Sequence, residues 1–339
     1  MIRSLVLATC MLAFNLSADE SPAAFQNINS QQQEAVEKGL AWLAKNQNSD
    51  GSWASQGSSG QYRMAMTGLA GLAFLSAGHM PGRGPYGDKI SKAIHYVLKH
   101  QSPDGTITSE EDGRSMYGHG FALTFLAEAY GMDPEGEDAA KIKEALPKAV
   151  KLVAKAQSNL GGWYYSPDSG NDEGSVTITQ VQALRACQNV GIDVPKKTMQ
   201  NALDYMKKAQ NPDGGIRYQA QGGGGSSVAL SAAGSEVLLM AGRYDSPETK
   251  KVVDYLKKNL RADTGTGHDF YTHFYATQAM YQLGGDEWVK YYGGIRKRML
   301  SQQASNGSWQ GDGIGTTYGT ALAVMILDLP YNYLPIFQK

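Results

Sequence analysis

Cysteine is almost missing from this chain: its 339 residues hold two, Cys10 and Cys187. Charge imbalance is missing too, since 31 Lys and Arg stand against 32 Asp and Glu, a formal net charge of −1. That balance gives no electrostatic basis for binding nucleic acid or an anionic membrane. No apolar run reaches the roughly 20 residues that a membrane-spanning helix needs. Neither a nucleic-acid partner nor a stable membrane span is therefore expected. What is abundant is hydrophobic side chain, at 42%, enough for a large core. Glycine is abundant as well, at 40 residues with no collagen-like period, so it must serve turns and close helix packing.

The N-terminus reads as an export leader. Arg3 supplies a positive n-region and Leu5 to Leu16 a short apolar h-region. Cleavage after Ala18 makes residues 1–18 a signal peptide, 19–33 a linker and 34–339 the folded domain, with a secreted or periplasmic destination. A second export reading runs through Leu7-Ala8-Thr9-Cys10 and would lipidate Cys10. With the leader removed after Ala18, Cys187 stands alone, no intramolecular disulfide can form, and stability rests on packing.

One phrase recurs along the chain: a glutamine, a turn with Gly, then a bulky apolar residue six positions after the glutamine. It runs Gln47 to Trp53, Gln101 to Ile107, Gln157 to Trp163, Gln210 to Ile216 and Gln303 to Trp309. Upstream, Ile90, Ala93, Ile94, Val97 and Leu98, or Met199, Ala202, Leu203 and Met206, fall at helical spacing. Lys196, Lys197, Lys207 and Lys208 take the other face, so these helices keep one side in water. The glycine then ends each helix, because it can adopt the left-handed conformation there. Downstream come helices of another character, such as Gly68 to Leu75, Gly120 to Ala127 and Thr320 to Leu327. These are apolar nearly all round and belong inside. A degenerate unit follows, with Val252, Val253, Leu256 and Leu260 outside, Phe274 to Leu283 inside, and 263–269 as an altered connection. About six hairpins of outer and inner helix result. The apolar segment Leu329 to Leu334 suits closure onto the first hairpin better than the polar cap an open solenoid needs.

These phrases resemble the glutamine-tryptophan repeats of squalene and oxidosqualene cyclases and the repeats of protein prenyltransferase β subunits. The resemblance covers nearly all of the chain after about Glu34, and it implies an all-α fold, the α/α toroid, with a double ring of helices round a central cavity. Fold does not fix function. The Asp-x-Asp-Asp string with which cyclases protonate an alkene does not occur, and the nearest acidic cluster, Asp133, Glu135, Glu137 and Asp138, reads as a solvated loop. The prenyltransferase zinc motif is incomplete, since no aspartate stands two residues before Cys187 and Thr272 separates Tyr271 from His273. The complement-type thioester string is absent as well.

In such a ring the inner-helix N-termini converge on one face, whose unpaired N–H groups should make the mouth receptive to anions. Residues expected there are Tyr62 and Arg63, Tyr117 and His119, Asp172 and Glu173, His268, Asp269, Tyr271 and His273, then Asp312 and Tyr318. Gln180, Gln182 and Gln278 join them, because a polar side chain on a buried helix needs a partner or a wet cavity. His119, His268, Asp269 and His273 would bind a metal only if they met in space; the plainer expectation is that His119 and His273 satisfy neighbouring polar groups, with no metal and no cofactor. Two functions remain. One is a binding or scaffold protein holding an apolar or extended ligand, or a protein partner, in its cavity or on its rim. The other is an enzyme, either an isoprenoid cyclase or transferase or a sugar-cleaving enzyme with Asp172, Glu173, Asp269 and Asp312 as candidate carboxylates.

Overall fold

A computed structural model describes residues 30–338 apart from 59, 60, 111, 113, 114, 169, 264 and 266. The expected leader, 1–18, and both its export readings lie outside these residues. Twelve helices alternate between two rings. The outer ones are α1 (Ser30–Lys45), α3 (Gly87–Lys99), α5 (Ala139–Ala156), α7 (Lys196–Ala209), α9 (Pro247–Asn259) and α11 (Gly285–Gln302). The inner ones are α2 (Arg63–Ser76), α4 (Ser115–Met132), α6 (Gly174–Asn189), α8 (Val228–Met240), α10 (Asp269–Leu283) and α12 (Thr316–Asp328). The described residues contain only isolated β-bridges, and no helix among them is long and apolar enough to cross a membrane. The last residues of the expected linker are helical, since α1 opens at Ser30.

The two kinds of helix follow from their patterns. On α3 the stripe Ile90, Ala93, Ile94 and Val97 is buried and lysines cover the rest. On α4 nearly every residue from Met116 to Ala129 is buried, so no face is left for water. Small residues let these inner helices approach: a Cβ on Gly68 would lie 2.7 Å from the Phe121 backbone on α4.

The recurring phrase is the joint between successive hairpins. Each glutamine ends an outer helix and donates its side-chain N–H to a carbonyl in the first turns of the next: Gln47 to Lys89, Gln101 to Ala145, Gln157 to Thr198 and Gln210 to Glu248, at 2.8–2.9 Å. The phrase glycine, at φ between 91° and 102° in Gly51, Gly105, Gly161, Gly214 and Gly307, rests against that same helix three residues on. There a Cβ would stand 2.1–2.6 Å from a carbonyl oxygen, so both conformation and space demand glycine. In three copies the tryptophan indole N–H turns back to its own outer helix, Trp53 to Leu43, Trp163 to Val153 and Trp309 to Met299.

Gln303 repeats this bond at 2.8 Å, but onto Ala35 in α1. The last hairpin thus grips the first as the first four grip their successors, and α12 packs on α2 to close the inner ring. The chain then passes α1, where Gln33 donates to the Tyr331 hydroxyl, and buries Leu334, Ile336 and Phe337 under the C-terminal ends of α4, α6 and α10. The barrel is plugged at that end. The other end is open.

Candidate functional site

A cavity of about 360 Å³ opens at the N-terminal ends of the inner helices. Its wall includes the same position of all six: Ala65, Tyr117, Ser175, Ala229, Tyr271 and Tyr318. Each stands two residues before a buried polar residue of its helix: Thr67, His119, Thr177, Ser231, His273 and Thr320. Five of these later residues hold the phrase in place by accepting the backbone N–H of its apolar residue, Trp53, Ile107, Trp163, Ile216 and Trp309 in turn. The joint that closes the ring therefore also sets which side chains face the cavity. Met66, Leu69, Phe121, Leu230 and Ile314 make the wall apolar, and Tyr62, Tyr218, Gly225, Ser227, His268 and Asp312 complete it.

Of the residues expected at the mouth, Tyr62, Tyr117, His268, Tyr271, Asp312 and Tyr318 line the cavity. The others are placed elsewhere, each for a definite reason. His119 accepts the Ile107 N–H at 3.1 Å, and burial pushes its imidazole down to about 4, so it stays neutral. His273 is buried toward the outer ring, with Nδ1 2.8 Å from the Tyr291 hydroxyl and Nε2 accepting from Arg298 at 3.2 Å. Asp269 pairs with the same Arg298. Arg63 starts α2 and reaches Ser52 at 3.3 Å. Asp172 accepts from the Ser158 hydroxyl at 3.0 Å. Gln180 bridges to the Met116 carbonyl, and Gln182 donates to Gln278 inside the barrel. The four metal candidates do not meet, and no group of three or more His, Cys, Asp or Glu among the described residues could hold a metal ion.

Carboxylates of the chain itself occupy three of the six inner-helix N-termini. Asp112 accepts the Met64 N–H of α2, Glu173 the Ser175 and Val176 N–H groups of α6, and Asp312 the Phe270 N–H of α10. Burial raises Asp112 and Asp312 above the usual aspartate range despite these bonds. The acidic cluster also differs from a solvated loop. Asp133 pairs with Arg83, and Asp138 with His95 and Lys141, both carboxylates being buried in the turn, while Glu135 and Glu137 are exposed.

Backbone strain collects at the same place. Among the described residues four non-glycines have positive φ, and two of them, Tyr62 at 44° and Asp312 at 37°, lie in the cavity wall. Such conformations cost of order 1–3 kcal/mol each and persist where the surroundings enforce them.

Residues 6–133 match the model of the prenyltransferase alpha-alpha toroid domain, and residues 138–288 that of the squalene-hopene cyclase C-terminal domain. The drimenyl diphosphate synthase of Streptomyces showdoensis is 27% identical over 186 residues, 54% of this chain and 32% of that protein. The chain thus corresponds to about a third of that relative's length. Among solved structures, the type II terpene cyclase MstE from Scytonema superposes with a TM-score of 0.61 at 17% identity, over 90% of this chain and 100% of that one. A variant of that cyclase, in complex with the substrate geranylgeranyl dihydroxybenzoate, superposes at 0.59 with 16% identity, over 90% and 98%. The GH76A alpha-1,6-mannanase from Salegentibacter sp. HEL1_6 superposes at 0.67 with only 10% identity, over 89% and 99%. At these identities the structural likeness is one of fold. Repeat, ring closure and family models agree: this chain is an α/α toroid, matched over one part by the prenyltransferase toroid model and over another by the squalene-hopene cyclase model.

Proposed function

We propose that this toroid is a binding protein whose mouth holds an uncharged, isoprenoid-like ligand. The observation that carries the reading is the wall itself: aromatic and aliphatic side chains from five inner helices and Ser175 from the sixth, with neither lysine nor arginine among the described residues that line it. At about 360 Å³ the cavity is small for a ligand site, toward the lower end of the ~300–1,000 Å³ range. Among the described residues of this wall, the diphosphate in the Streptomyces relative's name would meet no lysine or arginine. A sugar-cleaving reading loses support on the same page, because Asp172, Glu173 and Asp269 are bonded away from the cavity and only Asp312 lines it.

Equilibrium binding of farnesol and farnesyl diphosphate to the purified chain tests the proposal. Farnesol should bind at least about tenfold more tightly, since an unpaired diphosphate entering an apolar site pays its desolvation. Tighter binding of the diphosphate would sink it.

A second reading, a proton-initiated cyclase, rests on Asp312, a carboxyl held above its usual range at the cavity wall. Its weakness is that Asp312 accepts backbone N–H, a setting that suits the carboxylate better than the acid. Cyclised product from an isoprenoid alkene, lost in Asp312→Asn, would favour this reading over the first. We propose export with the binding function, on the leader expected over 1–18. A mature protein that still begins at Met1 would contradict it.

A further inference from the structure

Tyr117 and Ser175 occupy adjacent positions of the six-membered ring of wall residues and are hydrogen-bonded to each other. The direction of that bond follows from what lies behind it. Glu173 is fully buried, and each of its oxygens already accepts a backbone N–H, Oε1 from Val176 at 2.6 Å and Oε2 from Ser175 at 2.9 Å. A carboxylate so placed acts as an acceptor, so the Ser175 hydroxyl, 2.7 and 2.9 Å from the two oxygens, gives its proton to Glu173. Ser175 Oγ has no second proton. Tyr117 must therefore be the donor to Ser175, and its own oxygen turns only lone pairs toward the cavity. The chain of donors ends on a charge, and each bond polarises the next.

Tyr271 holds position five of the same ring, opposite Tyr117 at position two. Its hydroxyl is buried and has no hydrogen-bond partner among the described residues. A buried orphan of this kind costs about 1–3 kcal/mol, a penalty that a ligand acceptor reaching it would relieve. One side of the site thus accepts, and the other donates.

We infer that Tyr117 and Tyr271 select a ligand bearing a hydroxyl, an isoprenoid-type alcohol that donates to Tyr117 and accepts from Tyr271. This rests on the apolar-ligand reading and narrows it. An ether or ketone can accept from Tyr271 but brings no proton to Tyr117. A hydrocarbon satisfies neither, and a phosphate would set oxygen lone pairs against those of Tyr117, with Glu173 behind.

The test compares farnesol, its methyl ether and farnesene on the full chain by equilibrium binding, with circular dichroism to verify that each variant is folded. Farnesol should bind on the order of tenfold more tightly than the ether. Tyr117→Phe should erase that difference by weakening farnesol alone, whereas Tyr271→Phe should weaken both farnesol and the ether and leave farnesene unchanged. Equal binding of farnesol and its ether by the unsubstituted chain, or a preference that survives Tyr117→Phe, overturns this inference while leaving the apolar-ligand reading intact. Failure of all three to bind overturns both.

Discussion

At its mouth the inner barrel sets tyrosine hydroxyls round an open cavity, whereas toward its floor inner helices bury two glutamic acids, one bonded to a glutamine and the other to the C-terminal tail. Glu128 on α4 and Glu236 on α8 are both fully buried, and burial pushes each up to about 8. Glu128 accepts the Ile336 N–H of the tail at 3.2 Å, and Glu236 accepts from Gln282 at 2.8 Å. Cys187 lies nearby, its thiol raised far above its ordinary range by burial and by Glu128. The mouth acids, by contrast, are drawn to helix N-termini, where backbone N–H groups receive them. One ring of parallel inner helices thus offers two environments: donors and open space at one end, and a packed, proton-retaining interior at the other. At the mouth, strained Tyr62 and Asp312 and the unpartnered hydroxyl of Tyr271 surround open space, whereas the floor is densely packed.

The comparison breaks most visibly if the floor is not a packed end. Phe337 is 3% exposed and meets Phe274 edge-on, with ring centroids 6.4 Å apart. Phe337→Ala should cost about 3–5 kcal/mol in urea unfolding, the usual penalty for emptying an aromatic site in a core. A change below about 1 kcal/mol would mean that the tail only rests on the barrel.

A smaller effect concerns pH. In the folded chain Glu128 and Glu236 keep their protons up to about 8, while the unfolded chain releases them near the ordinary 4.5. Between those values the native state binds more protons at these two sites, so their contribution to stability is fully present below about 4.5 and is lost as the pH rises toward 8. Each site loses up to about 1.4 kcal/mol per pH unit over that window. Glu128→Gln should flatten the profile, gaining most relative to the parent near the upper end. An unchanged slope in urea midpoints would show that the buried acid is already ionised.

Much of this architecture was legible in the sequence. The hairpins and their outer and inner character follow from the phrase, whose glutamine and glycine act locally and alike at the five joints that carry it, and closure was suggested by the apolar segment Leu329 to Leu334. The site was less legible. Gln303 looks the same whether it bonds to a successor or to α1, and only closure brings Tyr117 and Tyr271 face to face. Ser175, Phe121 and Leu230 passed unnoticed as plain helix residues. A signal did exist, two positions before Thr67, His119, Thr177, Ser231 and Thr320, but the loops between phrase and inner helix vary in length and hide the register. His119 stands where other copies have threonine or serine and accepts the phrase N–H, in keeping with the plainer expectation that it satisfies a neighbouring polar group.

The mouth can be tested with least disturbance at Tyr62, which precedes α2 with φ 44° and ψ 43° and lends its ring to the cavity wall. An L-residue in this left-handed conformation costs about 1–2 kcal/mol, which glycine avoids, while glycine makes the unfolded chain more flexible by a roughly similar amount. Tyr62→Gly should therefore change stability by less than about 1 kcal/mol. It should nevertheless weaken farnesol binding by about tenfold, because one aromatic wall of a small site is gone. Phe337→Ala should do the reverse, lowering stability with little change in affinity. If Tyr62→Gly instead unfolds the chain and leaves binding intact, its strain serves packing, and the division between a binding end and a holding end fails.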